Sequence, residues 1–273
     1  MESTTNSIKV DDTSYPFYSQ TAISKIPWQR VDIVIEATGK FKTKQALEHH
    51  ISSGAKKVIL CVPPTDNQIK MIVIGVNDHK LTPEDCIISN ASCTTNNAAP
   101  ILKLIHDAFQ VEQAYITTIH SYTTDQSLHD QPHKDLRRAR AAGQSIVPTT
   151  TGAAKALTKL FPDLKNVIGG CGIRVPVANG SLCDITLNVK KESSLQAVNA
   201  VFEKAAKGLL KGTLQYTQEP IVSIDIVGNS HSCVLDSEMT SVIGKMIKII
   251  GWYDNETGYS SRIIDLMYKM SRK

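Results

Sequence analysis

The sequence predicts an α/β fold in two parts, and three observations carry that expectation. Residues 31–62 hold an apolar run, an amphipathic stretch and a second apolar run, the strand, helix, strand order of a parallel sheet. From residue 113 onward longer strand-like runs alternate with polar loops, which reads as a mixed α+β region. At 273 residues the chain exceeds the usual single-domain size and can bury two moderate cores.

In chain order, Val31-Asp32-Ile33-Val34-Ile35 reads as a buried strand, residues 43–53 as a short amphipathic helix ended by Gly54, and residues 57–62 as the next strand. Residues 71–76 and 86–89 continue the parallel sheet. Ligands gather at the carboxyl ends of strands in such sheets, and Thr38-Gly39 and Asn90-Ala91-Ser92 both fall there. A helix follows Cys93, and Pro100 is expected to kink it, so that only its first turn supplies a helix dipole. Residues 113–120, 170–176, 181–190, 221–226 and 246–252 then read as strands, with two helical stretches among them. The last segment, residues 258–270, carries Tyr259, Ile263, Leu266 and Met270 on one face, a helical pattern.

The formal charge is only +4, and basic residues concentrate between Lys134 and Arg140, so no bulk attraction to nucleic acid or a membrane surface is expected. That basic run suits a small anion or another subunit. The six cysteines, Cys61, Cys86, Cys93, Cys171, Cys183 and Cys233, show neither paired metal-ligand spacing nor a small-domain disulfide pattern. A reducing, cytoplasmic setting is the expectation. The first ten residues are polar, and no apolar run approaches the roughly 20 residues that span a bilayer, so neither export nor membrane insertion is expected.

Cys93 sits in Asn90-Ala91-Ser92-Cys93-Thr94-Thr95-Asn96, and Thr117-Thr118-Ile119-His120-Ser121 ends a later apolar strand in a histidine. A thiol and an imidazole at the ends of neighbouring strands can share one proton. A free thiol, with a reference pKa of about 8.5, is only a few per cent thiolate at neutral pH. Pairing with imidazole, or a helix N-terminus behind the sulfur, raises that fraction. Taken singly, a buried cysteine is ordinarily an apolar filler and a lone histidine a hydrogen-bonded structural residue. The surrounding runs decide: Asp125-Gln126, Pro132-His133-Lys134-Asp135-Leu136-Arg137-Arg138-Ala139-Arg140, Pro148-Thr149-Thr150-Thr151-Gly152-Ala153-Ala154, Arg174-Val175-Pro176 and Trp252-Tyr253-Asp254-Asn255-Glu256. Read in order, these closely resemble phosphorylating glyceraldehyde-3-phosphate dehydrogenase, from about Ile26 to the C-terminus.

The resemblance implies an incomplete Rossmann-type nucleotide-binding domain over residues 1–92, a mixed α+β catalytic domain over 93–254, and a C-terminal helix over 255–273 that packs back on the first domain. It implies oxidation of glyceraldehyde 3-phosphate with NAD and inorganic phosphate to 1,3-bisphosphoglycerate, in glycolysis, by a homotetramer. Cys93 would be the nucleophile, forming a hemithioacetal and then a thioester, and His120 the base. Its Cys93 backbone amide, at a helix start, would hold the oxyanion. Thr123, Asp125 and Arg174 would surround the C3 phosphate, with Asp125 orienting Arg174. Ser92, Thr94, Arg138, Thr151 and Gly152 would hold the attacking phosphate. Cofactor contacts would be Thr38, Gly39, Asn255 toward the nicotinamide carboxamide, and Tyr259 nearby. Pro132 stands where NAD-using relatives tend to carry proline, which favours NAD over NADP.

The departures are specific. The family's Gly-x-Gly-x-x-Gly run, which lets a pyrophosphate approach a helix N-terminus, occurs nowhere in these residues. Residues 1–28 instead resemble a stretch well inside the family's first domain, so a fragment or a naturally shortened form is expected. The family's second cysteine, one turn beyond the nucleophile, is Asn97 here, and the tryptophan common after Asn255-Glu256 is Thr257. Erythrose 4-phosphate dehydrogenase is the rival within the class, but Ser121-Tyr122-Thr123 and Thr149-Thr150-Thr151-Gly152 look like the triose enzyme. A non-redox relative that keeps the thiol and phosphate sites as a binding or subunit-interaction module is the second alternative, and the missing glycine loop is its support. Cysteine hydrolysis is the third; neither papain-like nor caspase-like surroundings occur near Cys93.

Overall fold

The computed structural model describes residues 2–3 and 6–272. A small antiparallel sheet comes first, with β1 (Glu2–Ser3), β2 (Ser7–Val10) and β3 (Thr13–Pro16). Next is a four-stranded sheet of β4 (Ile33–Glu36), β5 (Lys57–Leu60), β6 (Lys70–Met71) and β7 (Ile87–Ser89), in the order β4-β5-β7-β6. All its pairings are parallel. Helix α1 (Lys44–Ser52) starts where the Thr43 hydroxyl accepts the Ala46 N–H, and it gives way to Gly54 at φ +112.

That sheet is covered on both faces, which is why its strands read as near-continuous apolar runs. On one face Leu47 of α1 packs with Val34, Val58 and Leu60. On the other, Ile263, Leu266 and Met270 pack against Ile59, Ile72 and Ile88. These three belong to the last helix, α5 (Thr257–Ser271), so the C-terminal segment does return to cover the first sheet. Each fully buried Leu or Ile in these layers contributes roughly 1.5–3 kcal/mol.

Between the small sheets and α5 lies a seven-stranded sheet of β8 (Val111–Ser121), β9 (Val147–Thr149), β10 (Ile168–Val175), β11 (Ser181–Val189), β12 (Leu214–Thr217), β13 (Cys233–Ile243) and β14 (Met246–Tyr253). Its order is β12-β13-β14-β11-β8-β10-β9. Helices α2 (Cys93–Phe109), α3 (Ala153–Leu160) and α4 (Leu195–Lys207) cover one face. Ile101, Leu102, Leu157 and Phe202 from these helices meet Ile185, Leu187 and Ile249 from the strands. Among the described residues, no helix is long and apolar enough to cross a membrane.

Several expectations are corrected. The run at residues 71–76 pairs only at Met71, because the Asn77 side chain takes the Val73 N–H and donates to Met71 O, while Asp78 takes the Gly75 N–H. Side-chain bonding to the backbone competes there with the sheet ladder. Residues 221–226 form no strand: Ser223–Ile226 is a 3₁₀ turn, with Asp225 accepting the Val222 N–H. The strands of this region are β12 and the long β13, whose small polar residues hid their pattern. Pro100, where a kink is expected, lies inside helix α2 and does not end it, since the helix runs from Cys93 to Phe109. Ala98, Ala99, Ile101 and Leu102 are fully buried on either side of the proline, and that packing holds the helix together. Cys93 and His120 also do not follow neighbouring strands, since β7 and β8 belong to different sheets.

One close approach sets where α2 lies. A Cβ on Gly251, in β14, would come within 2.6 Å of Ile101 Cδ1 and 3.0 Å of Asn97 Oδ1. Asn97 is fully buried, and its Nδ2 donates to Gly251 O and Trp252 O at 3.1 and 3.2 Å. The residue that replaces the family's second cysteine thus ties α2 to the large sheet. We expect Gly251→Ala to cost about 1–3 kcal/mol through overpacking. In urea unfolding its midpoint should drop with the slope unchanged, and adding Ile101→Val, which removes the clashing Cδ1, should recover part of the loss; an unchanged midpoint would refute the close-packing account.

Candidate functional site

Strand register gathers the polar groups at one end of the large sheet. His120 of β8 lies opposite Arg174 of the parallel strand β10, and Val147 of β9 opposite Arg174 in turn. On the other side of β8, Leu182 pairs with Ile119, and Ser181 with Tyr253 of β14. One edge therefore presents His120, Arg174, Ser181 and Tyr253 side by side. Helix α2 brings the thiol to that edge. Ala91, in the left-handed region at φ 54, turns the chain from β7 into α2, and Ser92 caps the helix by accepting the Thr95 N–H at 3.1 Å. Cys93 is the first residue of α2, so its backbone N–H is among those left without a helical partner.

Cys93 Sγ stands 3.4 Å from His120 Nε2. Burial pushes the Cys93 thiol above its ordinary value, opposed by the Thr94 N–H and hydroxyl and by the Arg174 charge. Burial also lowers His120, to about 4, and the Arg174 charge adds to that, while the Ser121 carbonyl works the other way. At neutral pH both groups are therefore uncharged. Desolvation outweighs the pairing at both groups. The far side of the ring faces both an acceptor and a donor: Nδ1 lies 2.8 Å from Ser121 O and 2.5 Å from Arg174 Nη1. Either neutral tautomer finds a partner there, so Nε2 can accept a proton from sulfur or return one.

A cavity of about 230 Å³ opens over this pair, lined by Ser92, Cys93, Thr94, His120, Arg138, Thr151, Gly152 and Arg174, together with Pro63, Thr118, Thr149 and Gly172. Arg174 donates Nη1 to Ser121 O at 2.9 Å, yet no carboxylate reaches salt-bridge distance of it among the described residues. Burial and the neighbouring charge of Arg138 lower its guanidinium from the ordinary range. A half-buried cation beside a second cation calls for an anion. Asp125 does not orient Arg174 as expected. It binds Arg138, whose Nε donates to Thr149 Oγ1 at 2.8 Å. Thr123 lies on the turn after β8, where its carbonyl accepts the Gln126 N–H, and it does not line the cavity.

The residues expected to touch a dinucleotide stand outside the cavity lining but at the same edge. In the parallel sheet Glu36 is level with Leu60 and Leu60 with Ser89, so the Thr38-Gly39 turn and the loop that leads to Cys93 leave the same end of the sheet, one strand apart. Gly39 has φ +67, and a Cβ there would meet open space. Asn255 Oδ1 accepts from Ser121 Oγ at 2.8 Å and Ser181 Oγ at 2.9 Å, which leaves its Nδ2 to donate outward, the right chemistry for a carboxamide oxygen. Tyr259 sits deeper, its hydroxyl 3.4 Å from Ala91 O, where it props the loop before the nucleophile. These residues fit the nicotinamide end of NAD; a pyrophosphate cradle of the glycine type is not among the 273 residues.

Sequence reasoning passed over Tyr253. Its buried hydroxyl is 2.9 Å from both Thr94 Oγ1 and Thr118 Oγ1, and its ring meets the His120 ring edge-on, with centroids 5.9 Å apart. It buttresses the imidazole and the first turn of α2 together. Its alternation with Trp252 on β14 marked it as inward-facing, but nothing local marked what it would meet.

A family model described as the glyceraldehyde 3-phosphate dehydrogenase C-terminal domain matches residues 92–255. The chain is 51% identical over 267 residues to glyceraldehyde-3-phosphate dehydrogenase 2 of Streptomyces avermitilis, covering 96% of this chain and 79% of that protein. It is 50% identical over 244 residues to the glyceraldehyde-3-phosphate dehydrogenases of Mycobacterium avium and Mycobacterium tuberculosis, covering 89% of this chain and 72% of theirs. Half of the aligned positions are shared, and the whole cavity lining except Pro63 falls inside the matched residues, so the chain belongs to the glyceraldehyde-3-phosphate dehydrogenase family.

Proposed function

We propose that this chain oxidises glyceraldehyde 3-phosphate with NAD and inorganic phosphate to 1,3-bisphosphoglycerate through a thioester on Cys93. The observation that carries this reading is a thiol 3.4 Å from an imidazole, under a cavity whose half-buried guanidinium has no carboxylate at salt-bridge distance among the described residues. As Cys93 Sγ bonds to the aldehyde carbon, its proton passes to His120 Nε2, and the oxygen takes it back to complete the hemithioacetal. The Cys93 N–H, at the start of α2, supports the charge on that oxygen meanwhile. NAD, when bound, supplies the hydride acceptor. His120 takes the hydroxyl proton in the oxidation, and phosphate then attacks the thioester carbon and releases the Cys93 sulfur.

Arg174 would bind the substrate phosphate; Thr123, expected to join it, lies on the turn after β8 outside the cavity lining. Ser92, Thr94, Thr151, Gly152 and Arg138, which line the same cavity, would hold the attacking phosphate, with Asp125 holding Arg138. Thr38, Gly39 and Asn255 would hold the cofactor, with Tyr259 behind them. The domain division that goes with this reading places the nucleotide-binding part at residues 1–92, the catalytic part at 93–254 and the covering helix at 255–273. A homotetramer in the cytoplasm completes the proposal. Exposed Tyr115, Met239 and Ile243 on strands of the large sheet support subunit contacts there.

One second reading is a phosphate-binding module without redox activity, and its support is the Arg174 guanidinium, which lies beside the Arg138 charge with no carboxylate at salt-bridge distance among the described residues. Isothermal titration separates the two: the enzyme reading expects saturable heat with NAD, whereas phosphate heat with no NAD heat at millimolar concentration would establish the module.

For the enzyme, His120→Gln should lower kcat by about 10²–10⁴-fold, the ordinary worth of a positioned base, and Arg174→Leu should raise KM for the triose more than KM for phosphate. Near-normal turnover of His120→Gln would sink the proposed mechanism. The same histidine predicts a stability effect. Its folded pKa of about 4 lies below the unfolded value, so the unfolded chain binds the extra proton as pH falls from 6.5 toward 4. Stability from this group is full above 6.5 and lost on the way down. Urea midpoints should therefore decline less between pH 7 and 4.5 in His120→Gln than in the parent, and parallel declines would contradict the buried neutral state.

A further inference from the structure

Strand β4 ends in a buried carboxylate. Glu36 is 3% exposed; its Oε1 accepts the Thr38 backbone N–H at 2.8 Å and the Thr38 hydroxyl at 2.5 Å, and its Oε2 lies 3.0 Å from His50 Nε2. His50, buried on α1, receives the Trp28 indole N–H at Nδ1, at 3.0 Å. An indole nitrogen only donates, so Nδ1 must be the acceptor. The ring proton is then on Nε2, aimed at Glu36. Burial raises the Glu36 carboxyl, and the bonds from His50 and Thr38 outweigh it, holding the group below its ordinary value. Ionised, the carboxylate accepts from three donors and has none of its own to place.

The turn that this carboxylate grips has little else to shape it. Thr38 Oγ1 donates to Glu36 and accepts the Lys40 N–H at 3.2 Å, which fixes one rotamer. Gly39 follows at φ +67 with open space around its α-carbon. We propose that Glu36 is a positioning residue, locked by His50 and Trp28, which holds the Thr38-Gly39 turn in the shape that receives the dinucleotide. This rests on the cofactor reading of Thr38 and Gly39. The chain Trp28, His50, Glu36, Thr38 has one internally consistent set of proton positions, so a change at one member is felt at the others.

That single proton arrangement gives a rescue test. In Glu36→Gln the amide oxygen can serve Thr38 or His50 but not both: kept on Thr38 it turns NH₂ toward His50 Nε2–H, a clash the histidine relieves by moving its proton to Nδ1, against the indole N–H, and flipped it moves the clash to the Thr38 N–H. Removing the indole donor with Trp28→Phe permits that tautomer. Glu36→Gln should speed hydrogen–deuterium exchange over residues 37–40 and raise KM for NAD roughly tenfold, the scale of one lost charge-assisted bond. KM for the triose and for phosphate should not change. The double variant with Trp28→Phe should recover most of both effects, and ¹⁵N shifts of the His50 ring should report Nε2–H in the parent and Nδ1–H in the double variant. Thr38→Val, on the exposed turn, gives the same two readouts where Glu36→Gln fails to fold. Parent-like exchange in Glu36→Gln, or in Thr38→Val where that variant takes its place, overturns the proposal, as does a double variant no better than the single. Faster exchange with unchanged NAD affinity overturns the cofactor reading of the turn, and the proposal with it, and leaves the Cys93 and His120 chemistry standing.

Discussion

The 3.4 Å contact between Cys93 Sγ and His120 Nε2 joins two sheets that share no strand. The thiol arrives on a loop from the end of the parallel sheet, and the imidazole from the end of the large sheet. Helix α2 connects them directly, because it starts at the thiol and packs along the large sheet. Its depth is fixed where Gly251 offers no side chain and Asn97 bonds to the carbonyls beside it. Tyr253 then sets the last ångström, since one hydroxyl touches Thr94 at the helix start and Thr118 next to the imidazole. Catalytic geometry here follows from helix-on-sheet packing, and that packing is close enough to transmit a shift of one methyl group.

Electrostatics in the cavity are set by an excess of positive charge. Arg138 has Asp125, while Arg174 has only a carbonyl and the imidazole. That imbalance explains two features with one cause. It leaves a guanidinium to bind an anion, and it adds to the desolvation that keeps His120 neutral. In the proposed reading an anion on Arg174 would offset the guanidinium's share in lowering His120 and leave the share due to burial, so that one side chain would link anion binding to the basicity of the imidazole.

Much of this was legible in the chain. The Thr43 cap, the Gly54 stop and the alternating faces of the last helix specify α1 and α5 locally, and the structure forms both where those signals lie. Cys93 and His120, the proposed nucleophile and base, and the two arginines were legible only as ordered runs, since a cysteine or a threonine alone carries no such message. Misreadings came where side chains replaced the sheet ladder: Asn77 and Asp78 end β6 early, and Asp225 curls an apolar run that otherwise alternates like a strand. Partner choice was the least legible. Asp125 reaches Arg138 rather than Arg174 because the loop between them folds back on β9, a tertiary fact that no local pattern encodes. Trp28, His50 and Glu36 were unremarked for the same reason, being 22 and 14 positions apart.

The corner after β14 shows how the two halves of the site are kept in register. Asp254 is buried and accepts four backbone or side-chain donors: the N–H groups of Gly228, Glu256 and Thr257, and Asn179 Nδ2. Two of those donors open α5, so the carboxylate acts as its N-terminal cap. The next residue, Asn255, is held by Ser121 and Ser181, one residue from His120 and at the start of β11. Within four positions the chain thus passes from a tyrosine against the imidazole, through a helix cap and an amide facing outward, into the helix that covers the parallel sheet. Any displacement of α5 on that sheet must move Asn255 against Ser121, and with it the strand end that carries the base. The parallel sheet under α5 and the edge of the large sheet that carries His120 are therefore joined at a buried aspartate as well as at the thiol.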